Sequence, residues 1–191
     1  MSAAAGRQAI GVAMPARDAA LYIGAALESV LRQSVAPAEI VVVDDGSTDA
    51  TARIAASFGA PVRVISQPPA GPAAARNRAI GALSTDLVAL LDADDLWPAH
   101  SLAVRRDALA RDAQAELCFG RMVNFVSPDL SVEEQRRLRA DTAPQRAWAS
   151  SAMLCRGVVF ERYGQLPEHR RARAPSAHAH GRAADGCRWQ H

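Results

Sequence analysis

Several absences narrow the functional classes that this sequence can belong to. None of the 191 residues is lysine; all 22 basic residues are arginine and 20 residues are acidic, so the net charge is only +2. A charge so close to zero predicts no nucleic-acid partner. Aromatic residues make up only 5% of the chain. No apolar run approaches the roughly 18 residues of a membrane span, and no apolar signal segment is present near the N-terminus.

Cysteine is also scarce. Cys118, Cys155 and Cys187 are odd in number and widely spaced, so they provide neither a disulfide framework nor the spacing of a zinc site. This pattern favours a reducing compartment. We therefore expect a cytoplasmic protein, either in solution or peripheral at the inner face of the membrane.

Strand and helix signals alternate from the N-terminus to about residue 120. Short apolar runs predict strands at 10–14, 39–43, 62–65, 87–91 and 117–119. Between the first two, apolar residues recur with helical spacing at Ile23, Ala26, Leu27, Val30 and Leu31. Strands separated by helices predict right-handed βαβ units. The fold class expected is α/β and Rossmann-like, a mostly parallel sheet with helices on both faces.

Two of these strands end abruptly in carboxylates. Residues 41–43 lead into Asp44 and Asp45, and the strand at 87–91 leads into 92–95, which contains three aspartates. Ligands of open α/β sheets bind outside the carboxyl ends of the strands. Asp92 and Asp94, taken as part of an extended chain, lie on one side of it and predict a site for Mg²⁺ or Mn²⁺. Helix capping near Trp97 is the alternative for these aspartates.

Two further segments predict contacts to a nucleotide. Asp45 can accept hydrogen bonds from a base or ribose. Arg76 and Asn77 lie early in a helix that begins near Pro72, where the helix dipole disfavours a cation, so a phosphate or base is expected beside them. The alternative interpretation is that these side chains belong to a solvated helix face. This alternative is weaker than ligand binding for Arg76 and Asn77, and as strong as ligand binding for the neighbouring Arg78.

These motifs, in this order and spacing, resemble those of the family 2 glycosyltransferases, inverting enzymes of the GT-A fold. The resemblance extends from about residue 10 to residue 168. The segments that carry it are 12–18, 23–34, 42–49, 75–77 and 91–95. One mild departure is Asp18, which stands where the family often has asparagine. A nucleotidyltransferase is disfavoured because the loop after the first strand contains no glycine. A dehydrogenase is disfavoured because no dinucleotide-binding glycine motif follows any strand.

The resemblance implies a role for each matched residue. Its nucleotide-sugar site would be formed by Pro15, Ala16, Arg17, Asp45, Arg76, Asn77, Asp92 and Ala93. Asp45 would contact the base, usually uracil, and Asp94 would be the direct ligand of Mn²⁺ or Mg²⁺, with Asp92 beside it. The implied reaction transfers a sugar from a nucleotide-diphospho-sugar, most often a UDP-sugar, to a hydroxyl of a glycan, lipid or protein acceptor.

The C-terminal segment departs from the family. Family members carry a Glu-Asp pair shortly after the position of Glu168, and its Asp is the general base. Residues 169–191 instead contain no Val, Ile, Leu, Met, Phe or Tyr, and only one acid, Asp185. We therefore expect residues 1–168 to form the nucleotide-sugar-binding domain, with an incomplete acceptor part, and residues 169–191 to be a basic, disordered tail.

The origin of this tail bears on activity. A shifted reading frame or a truncated gene model is the favoured explanation, and a genuine divergent tail is the alternative. The general base is consequently unknown. An inactive fragment that binds a nucleotide-sugar without transferring the sugar is the alternative function.

Overall fold

The computed structural model describes residues 8–127, 130–137, 142–146, 149–167 and 180–185. The strands are β1 (Ile10–Ala16), β2 (Glu39–Asp44), β3 (Val62–Ser66), β4 (Leu87–Leu90), β5 (Leu117–Phe119), β6 (Arg121–Val126), β7 (Gln145–Arg146), β8 (Met153–Arg156) and β9 (His180–Asp185). The α-helices are α1 (Ile23–Leu31), α2 (Thr51–Ala56), α3 (Pro72–Gly81), α4 (Ser101–Arg111), α5 (Val132–Arg137) and α6 (Val158–Tyr163). A 3₁₀ helix, Ser150–Ala152, precedes β8.

The central sheet has six strands in the order β3-β2-β1-β4-β8-β5. Strands β1 to β4 are parallel, whereas β8 runs antiparallel to β4 and β5. Alternate side chains of β2 enter two hydrophobic clusters: Val42 belongs to the cluster that contains residues of α1 and α4, and Val43 to the cluster that contains residues of α3 and α6. The prediction of a mostly parallel sheet with helices on both faces is confirmed.

The parallel register aligns the carboxyl ends of three neighbouring strands. Ala16 of β1 pairs with Asp44 of β2, and the next residue, Asp45, donates its N–H to the Ala16 carbonyl at 2.8 Å. On the other side of β1, Leu91 donates its N–H to the carbonyl of Ala13 at 3.2 Å. The segments that follow β1, β2 and β4 therefore emerge at one edge of the sheet.

The loop at residues 67–71 is fastened to the end of β2. The Asp45 carboxylate accepts hydrogen bonds from the Gln67 side chain at 2.7 Å and from the N–H groups of Ala70 at 2.7 Å and Gly71 at 2.8 Å. Gly46, with φ of 69°, lies directly against Pro69 in the same loop. We call Asp45, Gly46 and residues 67–71 the loop clasp.

The environment of Asp45 stabilises its ionised form. Burial alone raises the pKa of this carboxyl, which is only 3% exposed. The hydrogen bonds from Gln67 and the two backbone N–H groups, together with the charge of Arg17, outweigh burial and lower the pKa below its ordinary value. The loop clasp is therefore strongest when Asp45 is charged.

Other differences from the sequence analysis concern the C-terminal half. Strand β6, strand β7 and the 3₁₀ helix were not predicted, and β6 lies in a second sheet of order β7-β6-β9. A capping box precedes α5: the Ser131 hydroxyl hydrogen-bonds the Glu134 carboxylate at 2.6 Å and accepts from the Glu134 N–H at 3.3 Å. No helix among the described residues combines the length and apolar character needed to cross a membrane.

The tail differs in part from the disorder expected of it. Residues 180–185 form β9, which pairs antiparallel with β6 from Arg121↔Asp185 to Val126↔His180. Strand pairing uses backbone N–H and C=O groups, so a segment without aliphatic side chains can still complete an edge of a sheet. Residues 169–179 and 186–191 of the tail lie outside the described residues, and for them the expectation of disorder stays a prediction.

The close approach in the loop clasp can be tested with two glycine variants. A Cβ at Gly46 would lie 2.6 Å from both Cδ and Cγ of Pro69, whereas one at Gly59, with φ of 62°, would meet nothing within 4 Å. Gly59→Ala should lower the free energy of unfolding by about 1–2 kcal/mol, the cost of the left-handed conformation. Gly46→Ala should cost at least about 1 kcal/mol more, because Pro69 must move. Urea denaturation measures both, and equal losses would contradict the Pro69 contact.

The charge of Asp45 gives a second stability test. Because its folded-state pKa lies below the ordinary value of 3.8, the carboxylate stabilises the fold above that pH, and this stabilisation is lost as the pH falls through the folded-state pKa. Asp45→Asn should therefore be less stable than the wild type at neutral pH, and the difference should shrink below about pH 4. Urea denaturation at several pH values checks this. A difference that does not change with pH would show that the charge of Asp45 contributes nothing.

Candidate functional site

A cleft of about 500 Å³ lies at the sheet edge where β1, β2 and β4 end. The loop after β1, the first turns of α3 and the turn after β4 form its walls. The lining residues are Pro15, Ala16, Arg17, Asp18, Ala19, Leu21, Tyr22, Asp45, Pro72, Ala75, Arg76, Asp92, Ala93 and Asp94. Every residue that the sequence analysis placed in a nucleotide-sugar or metal site lies here, except Asn77.

Asn77 lies away from the cleft. Its side-chain amide donates to the carbonyl of Leu166 and accepts from the N–H of the same residue, both at 2.9 Å. Successive residues of an α-helix are about 100° apart around the axis, so Asn77 cannot share the direction of Arg76. This arrangement differs from the prediction that Asn77 contacts the nucleotide: Asn77 fastens α3 to the segment after α6.

Arg76 and Asp92 form an ion pair across the cleft. Nη2 of Arg76 donates to Oδ1 of Asp92 at 2.7 Å and to Oδ2 at 2.8 Å, and Nε donates to Oδ1 at 3.2 Å. The two side chains are 19% and 28% exposed. Both carboxylate oxygens of Asp92 are thus engaged by a cation. In this arrangement a metal ion at Asp92, the ligand role that the sequence analysis assigned to it, would have to compete with Arg76 for the carboxylate oxygens.

The geometry of the acidic segment after β4 also differs from the expectation. Asp92 and Asp94 are not part of an extended chain, because Asp95 donates its N–H to the Asp92 carbonyl at 3.1 Å and closes a turn. Helix α4 begins only at Ser101, and its N-cap residue, His100, makes no capping bond with its own side chain. The N–H of Leu102, in the first turn of α4, instead donates to the Gln33 side chain at 2.9 Å.

The turn after β4 is held in place by residues that the sequence analysis missed. The hydroxyl of Ser151 accepts the N–H of Asp92 at 3.0 Å, and the Ser151 carbonyl accepts the indole N–H of Trp97 at 2.8 Å. Both Ser151 and Trp97 are 4% exposed. Ser151 is separated from Asp92 by 59 positions, so no local pattern could have connected them.

Asp94 is an exposed residue on the cleft wall. Among the residues that the structure describes, no group of three Asp, Glu, His or Cys side chains could hold a metal ion by itself. Mg²⁺ and similar hard cations are commonly held by one or two carboxylates, with substrate phosphates and waters completing the shell. A cation that shares its ligands with a bound diphosphate therefore fits Asp94.

The wall after β1 combines charge with apolar surface. Asp18 has a φ of 46° and accepts the backbone N–H of Thr48 at 2.7 Å, which ties this wall to the loop after β2. The Arg17 guanidinium lies 3.8 Å from the Asp18 carboxylate and is half exposed. Leu21 and Tyr22 were also missed. The only sequence signal for these two residues is their position. They are large apolar residues immediately before Ile23, where the buried face of α1 begins.

The charges on the cleft wall restrict what can bind there. Four carboxylates and two guanidinium groups line it, a net charge of −2 at neutral pH. A polyanion alone would be repelled, whereas a polyanion carrying a divalent cation would be neutralised. The cleft is therefore suited to a ligand with phosphate groups and an accompanying metal ion.

Comparison with known proteins agrees with this geometry. An uncharacterised glycosyltransferase of Nostoc sp. is 40% identical over 87 residues, which are 44% of this chain and 27% of the relative. In Escherichia coli, the UDP-Glc:alpha-D-GlcNAc-diphosphoundecaprenol beta-1,3-glucosyltransferase WfgD is 35% identical over 98 residues, 50% of this chain and 39% of that protein. The chain thus spans well under half of the length of either relative.

A solved structure shows the same fold. The mannosyltransferase PcManGT of Pyrobaculum calidifontis, in complex with GDP-Man and Mn²⁺, superposes with a TM-score of 0.66 at 23% identity, covering 86% of this chain and 49% of the mannosyltransferase chain. The profile described as Glycosyl transferase family 2 matches residues 11–162, most of the chain. With a GT-A fold and the expected motifs around one cleft, the chain belongs to glycosyltransferase family 2.

Proposed function

We propose that the cleft binds a UDP-sugar together with Mn²⁺ or Mg²⁺, and that the protein transfers the sugar with inversion to a hydroxyl of a glycan, lipid or protein acceptor. The observation that carries this proposal is the excess of carboxylates in a cleft at the carboxyl ends of parallel strands. That excess favours a phosphorylated ligand only when a divalent cation accompanies it.

Different residues of the cleft contact different parts of the ligand. Asp94 supplies a carboxylate oxygen to the cation, and Arg76 faces the diphosphate from the first turns of α3. When bound, the cation neutralises the diphosphate and stabilises it as a leaving group. Leu21 and Tyr22 offer apolar surface at the rim of the same cleft. The general base is not assigned to any residue.

Asp45 is proposed to read the base. Its carboxylate accepts three hydrogen bonds in the loop clasp, and an ionised carboxylate has about four acceptor sites. One acceptor site is therefore available for an N–H of a base. Since Asp45 is only 3% exposed, that contact must come from a group inserted deep into the cleft.

Uridine is preferred over guanosine on the strength of the relatives. The Escherichia coli relative uses UDP-Glc and is 35% identical over the aligned residues. The Pyrobaculum structure contains GDP-Man, but at 23% identity its likeness concerns the fold alone. The acceptor of the Escherichia coli enzyme is a lipid-linked diphosphate sugar, and a lipid-linked acceptor is accordingly the first acceptor class to test here.

The metal can be tested by calorimetry with UDP. In the presence of Mn²⁺, UDP should bind at least about tenfold more tightly than in EDTA, a difference of about 1.4 kcal/mol. Asp94→Asn should remove most of this gain, because a neutral amide is a poorer ligand for a hard cation than a carboxylate. Asp107→Asn, on the exposed face of α4, changes the same charge outside the cleft and should retain the gain. Equal UDP affinity with Mn²⁺ and in EDTA would contradict the proposal.

The role of Asp45 can be separated from its part in the loop clasp. Asp45→Ala should weaken UDP binding by about 1–3 kcal/mol, the cost of an unmet polar contact, while Mn²⁺ still enhances binding. Gln67→Ala is the matched control, because it removes one hydrogen bond of the loop clasp and leaves the carboxylate in place. If calorimetry gives Gln67→Ala the same loss as Asp45→Ala, Asp45 acts through the loop and does not contact the base.

A further inference from the structure

We infer that the Arg76–Asp92 ion pair is a latch that makes cation binding depend on the nucleotide. This inference rests on the proposed function, since it concerns how the same cleft admits its two ligands. In the structure the pair keeps the carboxylate of Asp92 from a cation. Binding of the diphosphate draws Arg76 onto phosphate oxygens and leaves Asp92 able to join Asp94 at the metal.

The geometry of the pair supports this exchange. Three hydrogen bonds connect the guanidinium of Arg76 to the carboxylate of Asp92, and they engage both carboxylate oxygens. A cation at Asp92 therefore has to displace a positively charged group, and it is repelled by that group if the group stays. Without nucleotide, the carboxylates of this cleft are consequently a weak site for a divalent ion.

A diphosphate changes the balance because it offers Arg76 an equivalent partner. The planar guanidinium binds phosphate in the same two-point manner as it binds a carboxylate. Once Arg76 is on the phosphate, the partly buried carboxylate of Asp92 lacks its counterion, which favours recruitment of a cation. Each ligand then raises the affinity of the other, as linkage requires.

The parts of the cleft around the pair are arranged so that only a side chain has to move. The backbone of Asp92 is fixed by its hydrogen bond to the buried Ser151. Arg76 is in α3, whose N-terminal end is fastened through Gly71 to the loop clasp. The long side chain of Arg76 is therefore the flexible element between two fixed walls.

The test is a titration of the full chain with Mn²⁺ in the absence of nucleotide. The electron paramagnetic resonance signal of free Mn²⁺ reports how much of the ion is bound. Arg76→Gln should bind Mn²⁺ at least about fivefold more tightly than the wild type, because Asp92 is released. Arg32→Gln removes the same charge outside the cleft, from an exposed pair with Glu28, and should change the affinity less than about twofold. The double variant Arg76→Gln with Asp92→Asn should lose the gain.

A second variant covers the case in which Arg76→Gln does not fold. Arg76→Lys keeps the charge but lacks the planar Nε and Nη2 donors that engage Asp92 together, so it should also bind Mn²⁺ more tightly than the wild type, by a smaller factor. In both variants, UDP should enhance Mn²⁺ binding less than it does in the wild type. A purely structural Arg76 would produce neither change.

The outcomes separate the latch from the proposed function. If UDP does not enhance Mn²⁺ binding by the wild type, the proposed function fails and the latch fails with it. If UDP enhances Mn²⁺ binding by the wild type, but Arg76→Gln gains no more affinity than Arg32→Gln, only the latch is overturned.

Discussion

The parallel pairing of β1 with β2 on one side and with β4 on the other places three loops at a single edge of the sheet. Ala16 pairs with Asp44, and Ala13 pairs with Leu90. The residues that follow these strands therefore lie next to each other at the sheet edge, although up to about eighty positions separate them in the sequence. The loop after β1 and the turn after β4 directly continue these strands, and α3 is attached to the end of β2 through the loop clasp. A shift in the register of β1 would separate Arg17, Asp45 and Asp92, and the site would not exist.

The site consists of two segments that hydrogen bonds hold in place and of one ion pair between them. The loop clasp fixes the segment that leads into α3, and Ser151 fixes the turn after β4. Between them, Arg76 and Asp92 hold opposite charges in contact in a partly buried cleft. Such a pair is costly to break without replacement partners, and a diphosphate with its cation supplies a partner to each side chain.

Much of the fold and most of the cleft could be predicted from the sequence, because their signals are local. Apolar runs ending in carboxylates marked β2 and β4, and the residues after them do line the cleft. The contacts that the sequence did not predict involve partners distant in sequence. Asn77 lies in a segment that matches the family motif, but its side-chain amide forms hydrogen bonds with Leu166, which is 89 positions away. Asp92 fitted a metal motif, yet Arg76, on another element, holds both of its oxygens. Strand β9 has no apolar signal because its pairing uses the backbone.

The most direct test of the account is a crystal structure of the chain with UDP and Mn²⁺. We expect the diphosphate in the cleft, Mn²⁺ bound to the Asp94 carboxylate and to phosphate oxygens, and the uracil ring directed toward Asp45. A nucleotide bound elsewhere, or bound in the cleft with Mn²⁺ away from Asp94, would contradict the account.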